Sequence, residues 1–115
     1  MRVHHVALRT RDLARAERFW VELFGLAVLR RDAARAVWLD LDGAVLMLER
    51  AAPEEPGVPA GSMDFFALRV SPEAREVFAA RCAAAGVAIE HETAHTTYVR
   101  DPDGRRVGVS THPLA

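Results

Sequence analysis

Apolar and polar residues alternate over 3–9 (VHHVALR), the two-residue period of a strand with one covered face. Over 12–24 the period lengthens. Leu13, Ala16, Phe19, Trp20, Leu23 and Phe24 fall on one helical stripe, with Asp12 placed to cap its start and Gly25 to end it. Strand patterns then return at 26–31, 35–40 and 44–50, the last two joined by a turn at 40–43. The same series recurs. A strand is predicted at 64–70, and Ser71-Pro72 opens a helix with Val77, Phe78, Cys82 and Ala85 on its apolar face. Gly86 closes that helix, and strands follow at 87–92, 95–100 and 105–111. The order is βαβββ, twice.

Three landmarks repeat in register. HVALRT (5–10) matches FFALRV (65–70) at an offset of 60, and LDLDG (39–43) matches RDPDG (100–104) at 61. Gly25 and Gly86 are also 61 apart, so one extra residue in the second helix region accounts for the change. Between the copies lies AAPEEPGVPAGS (51–62), which carries three of the six prolines and reads as a linker. The expected architecture is α+β. Two tandem βαβββ modules, 1–50 and 63–115, form a cleft-shaped mixed β-sheet with the helices outside, in one compact domain. One helix covers one face of a four-stranded sheet, so the second face must be buried or line a pocket.

Composition narrows the function. The chain has 115 residues and a net charge of −1, which gives no electrostatic basis for nucleic-acid or membrane binding. No apolar run nears the ~20 residues of a membrane span, and the N-terminus lacks a signal-peptide core, so a cytoplasmic location is expected. The single cysteine, Cys82, excludes an internal disulfide and a Cys-rich zinc site. All 15 basic residues are Arg, and Lys, Asn and Gln are absent, a usage that fits a GC-rich bacterial genome. Neither a nucleophilic triad spacing nor a Gly-rich phosphate loop is present.

HHVALRTRDLARAERFWVELFGLAV at the start and YVRDPDGRRVGV at the end resemble the vicinal oxygen chelate superfamily of glyoxalase I, bleomycin-resistance proteins and extradiol dioxygenases. The resemblance spans essentially the whole chain. It implies a cleft in which metal enzymes of the group hold a divalent cation, with ligands from the first and last strand of each module. Carried onto this chain, those positions are His5, which agrees, Met47 in place of Glu, Phe65 in place of His, and Gly108 in place of the Glu that ends the family's DPDG pattern. Met, Phe and Gly are not ligands for a hard divalent ion, so the usual metal site is expected to be lost and no cofactor is expected. A displaced set of His5, Glu49 and His112 shares the cleft-facing parity and is the remaining route to a metal. The directions of His91 and His95 are left open.

The resemblance also makes Arg9 the residue that meets an anionic part of a substrate, with Arg69 its repeat equivalent. The plainer reading is that each pairs with a nearby carboxylate. Met47, Phe65 and Tyr98 supply apolar walls, and Gly108 is expected to leave extra room. The leading expectation is a small-molecule-binding protein of the glyoxalase/bleomycin-resistance type, homodimeric, taking an anionic amphipathic ligand at His5, Arg9, Met47, Phe65, Arg69, Tyr98 and Gly108. The alternatives are a lyase, isomerase or dioxygenase using an unusual metal set or His5 as general base, or a purely structural subunit.

Overall fold

The computed structural model describes all 115 residues and divides into two units, Met1–Gly57 and Val58–Ala115. Unit 1 runs β1 (His5–Thr10), α1 (Leu13–Phe24), β2 (Val28–Asp32), β3 (Ala36–Asp40) and β4 (Val45–Arg50). Unit 2 runs β5 (Phe65–Arg69), α2 (Pro72–Ala85), β6 (His91–Glu92), β7 (Thr96–Arg100) and β8 (Arg106–Ser110). Each unit holds one four-stranded mixed sheet, ordered β1-β4-β3-β2 and β5-β8-β7-β6. The first and last strands of a unit pair in parallel, because the crossover through the helix returns the chain in the same direction; the remaining pairs are antiparallel. The architecture is therefore α+β, as the alternating pattern predicts.

In unit 1 the helix-covered face is Leu8 and Thr10 of β1, Val37 and Leu39 of β3, and Leu46 and Leu48 of β4, all buried. Ala16, Phe19, Trp20 and Leu23 of α1 are buried with them. Asp12 caps α1 by accepting from Arg15 N at 3.1 Å, and Gly25 ends it in the left-handed region at φ 69°. In unit 2 Thr97, Val99, Val107, Gly108 and Val109 are the buried strand residues, and α2 buries only Phe78 and Cys82. Two residues expected on that face are exposed. Val77, 48% exposed, sits a third of a turn from Phe78 on the side of Arg81, and Ala85 lies in the last turn. Arg75 fills the space instead. Its guanidinium donates to Thr97 Oγ1 and to the carbonyls of Thr93, Ala94 and Thr96, which ties α2 to the β6–β7 turn.

The repeat is less uniform than one inserted residue. The caps Asp12 and Ser71 are 59 apart, while Gly25 and Gly86 are 61 apart, so α2 is two residues longer than α1. The registers then place Trp38 opposite Met47 and Tyr98 opposite Gly108, an offset of 60 on one strand and 61 on the next. The β7–β8 turn thus carries one residue more than the β3–β4 turn. The strand expected at 87–92 shrinks to His91–Glu92, because Val87 N is engaged by Cys82 O at the helix end.

Candidate functional site

Strand alternation leaves one face of each sheet without a helix. In unit 1 that face carries His5, Ala7 and Arg9 of β1, Val45, Met47 and Glu49 of β4, and Trp38 of β3. Met47 and Trp38 are half-buried and line a concavity of about 470 Å³ with Arg9, Glu49, Arg35 and Arg50 at its edge. Arg30 lies over the Trp38 ring at 5.0 Å.

Arg9 is committed within its own unit. Its Nε and Nη2 donate to the two carboxylate oxygens of Glu55 at 2.9 and 2.8 Å, and its Nη1 lies 3.6 Å from Glu49. The hydrogen bond from Arg9 holds the Glu55 carboxyl below the ordinary range and in turn raises the guanidinium. Arg11 fastens the same segment by donating to the carbonyls of Ala52, Pro53 and Glu55. Half of the stretch read as a linker therefore folds back on unit 1. His5 is exposed, and its Nδ1 lies 2.8 Å from Nδ1 of His4, so the two imidazoles share one hydrogen.

Unit 2 keeps Ala67 and Arg69 at the positions of Ala7 and Arg9 and differs at the others. Tyr98, the counterpart of Trp38, packs on Phe65 at 4.4 Å between centroids and on His91 at 5.5 Å. Arg106 lies over the Tyr98 ring at 4.1 Å. Glu90 forks with Arg100 through both carboxylate oxygens, and Arg106 Nε approaches the same carboxylate at 3.0 Å. These bonds hold Glu90 below the ordinary carboxylate range, Arg100 contributing most. Arg69 is exposed beside Ser110 and has no ion pair in its unit. His95 and His112 meet edge to face at 4.8 Å, and His112 Nδ1 bonds the Pro113 carbonyl at 2.7 Å.

Gly108 overturns the expectation of extra room. A Cβ on Gly108 would run into the backbone carbonyl oxygen of Thr97, and would stand 3.0 Å from that carbonyl carbon and 3.3 Å from Phe65 Cε1. The glycine is there because β7 approaches β8 too closely for any side chain. Its absence of a side chain opens no space.

Three of the four ligand positions that the resemblance implies carry no donor for a hard divalent ion. Unit 1 offers an imidazole and the thioether of Met47 at the family's ligand positions. Unit 2 offers a phenyl ring and a glycine whose added Cβ would meet the Thr97 carbonyl. Neither unit gathers three His, Cys, Asp or Glu side chains that could hold a metal ion. Of the displaced candidates, Glu49 faces Arg9 in unit 1, and His112 pairs with His95 in unit 2.

Arg106, Glu90 and Glu55 were not among the residues that pattern singled out. Arg106 had a signal, since it stands two residues before Gly108 and so on the same face. Glu55 had none, because it lies in an irregular segment, and Glu90 was obscured because the strand expected around it begins only at His91.

A family model described as the Glyoxalase/Bleomycin resistance protein/Dioxygenase superfamily matches residues 2–109. Among solved structures the chain is similar to a lactoylglutathione lyase from Agrobacterium tumefaciens (23% identity, 95% of this chain and 92% of that one, TM-score 0.74). It is similar to a possible glyoxalase from Bacillus cereus (24%, 96% and 98%, TM-score 0.79). A fosfomycin resistance protein from Listeria monocytogenes shares the fold at 15% identity (98% and 92%, TM-score 0.83). No curated protein matches the chain. No helix is long and apolar enough to cross a membrane. With nearly its whole length matched and both βαβββ units in place, the chain belongs to the glyoxalase/bleomycin resistance protein/dioxygenase superfamily.

Proposed function

We propose that this chain is a small-molecule-binding member of the superfamily that works without the metal of its enzymatic relatives, as a homodimer in the cytoplasm. Gly108 carries the reading. Where the family's pattern has a metal-binding carboxylate, the neighbouring strand occupies the position of the Cβ itself, so recovering the ligand requires moving backbone. Met47 and Phe65, at two other ligand positions, are consistent with it. The helix-free faces supply half-buried apolar side chains with a few polar groups, the usual make-up of a small-molecule site. The ligand is amphipathic with one anionic group. Arg69 is open to receive it, whereas Arg9 would first have to release Glu55.

The test is metal analysis with native mass spectrometry on gently purified protein. The expected result is a dimer with no stoichiometric metal and a retained small molecule. A tightly bound divalent ion at one per chain sinks the reading.

A further inference from the structure

We infer that Arg106 anchors a binding site for a small organic anion at the base of the β5–β8 pair, bordered by Phe65 at one of the family's ligand positions. The charge balance around Glu90 is the first observation. One carboxylate serves two guanidiniums, and Arg100 takes both of its oxygens. Arg106 has what is left. Its Nε stands 3.0 Å from Glu90 Oε1 but is not aligned for a hydrogen bond, and it is buried without another partner. Glu90 is shared between two guanidiniums, so it compensates Arg106, whose side chain is only 12% exposed, less than fully.

A withdrawn and under-compensated guanidinium is a costly arrangement unless something meets it. The surroundings indicate what. Arg106 lines a pocket of about 310 Å³ with Phe65, Phe66, Val58 and Pro59, and one carboxylate, Asp64, stands in the same lining without an ion pair to Arg106. Those walls suit an apolar or aromatic body. The guanidinium carbon lies 4.1 Å from the Tyr98 ring centroid, a cation–π contact that holds the side chain in place. Arg105, the second cation at the rim, is held by Asp101 at 2.6 Å and adds field more than contact. The site has no counterpart in unit 1, where the equivalent of Arg106 is Val45. An aryl or alkyl carboxylate of benzoate size fits both the volume and the charge.

The experiment titrates the full chain with benzoate and with neutral benzamide, read by NMR on the Tyr98 and Phe65 ring resonances. Benzoate is expected to shift both and benzamide to shift neither. Arg106→Gln is expected to weaken benzoate at least about 10-fold, the loss of a charge-assisted pair, and Arg81→Gln, on the exposed side of α2, to leave it unchanged. Glu90→Gln, which removes the competing carboxylate, is expected to tighten benzoate, and it decides the matter if the Arg106 variant does not fold. Equal response to benzamide, unchanged affinity in Arg106→Gln, weaker or unchanged affinity in Glu90→Gln, or no shift at saturating benzoate overturns the inference. Metal content of the same samples reports on the proposed function independently.

Discussion

The two units share a fold and a register, yet their helix-free sheet faces handle charge in opposite ways. In unit 1 one guanidinium, Arg9, meets two carboxylates, Glu55 and Glu49. In unit 2 two guanidiniums, Arg100 and Arg106, meet one carboxylate, Glu90. The aromatic residue between the strands follows the same division. Trp38 borders a concavity, whereas Tyr98 is stacked against Phe65 over the closed position of Gly108. A duplicated scaffold fixes which positions face outward. It leaves the chemistry at those positions free to diverge, because no core contact depends on them.

The largest expected effect tests how far the two cores differ. α1 buries four residues and α2 two. Trp20→Ala removes the largest fully buried side chain and should cost about 3–5 kcal/mol. Phe78→Ala should cost less, because fewer buried neighbours on α2 depend on it. Urea unfolding midpoints with unchanged slopes check the order, and equal losses would mean that the units are equally well packed.

The second effect concerns Gly108 and Met47, which occupy equivalent positions. Gly108→Ala forces a methyl into the Thr97 carbonyl and should cost about 1–3 kcal/mol, more for Gly108→Glu. Met47→Ala, at a half-buried site with open space beside it, should cost less than either. If Gly108→Glu is as stable as the parent, the close approach of β7 to β8 yields easily and the argument against a carboxylate ligand there fails.

Alternation and capping residues made both sheets, both helices and their order legible in the chain, because each is a local property of spacing. Val77 misled because a stripe drawn by apolar identity alone includes a residue a third of a turn off the buried line. The site was harder. Parity placed Met47, Tyr98 and Gly108 on their proper faces. Whether a missing side chain opens room or marks a backbone contact depends on the distance between strands, which spacing does not encode. The Arg9–Glu55 pair joins residues 46 apart through an irregular segment, so no periodicity could announce it.

The third effect is a difference of sign with pH. Glu55 and Glu90, lowered by Arg9 and Arg100, contribute stability that is full above the ordinary glutamate value of 4.5 and is lost as pH falls below it. Asp101 behaves oppositely. Burial raises its carboxyl above 3.8 despite Arg105, so the native state binds its proton more readily than the unfolded chain. Its contribution to stability falls as pH rises through that window. Asp101→Asn should therefore make stability climb more steeply than in the parent as pH rises above the ordinary aspartate value of 3.8. A parallel pair of curves would show that burial does not raise the Asp101 carboxyl.

The smallest expected effect is an absence of reaction. Cys82 is fully buried on α2, and burial pushes its thiol up to about 11. No cation or imidazole stands beside it to stabilise a thiolate, so at neutral pH it is both inaccessible and protonated. A thiol reagent should leave the folded chain unlabelled and label it at one per chain once urea unfolds it. The onset of labelling then reports the opening of unit 2 alone, since unit 1 contains no cysteine. Comparison with the fluorescence of Trp20 and Trp38, both in unit 1, shows whether the units open together. A labelling midpoint below the fluorescence midpoint is the expected order, because α2 is held by fewer buried side chains than α1. Coincident midpoints would show that the two units unfold as one despite their unequal cores.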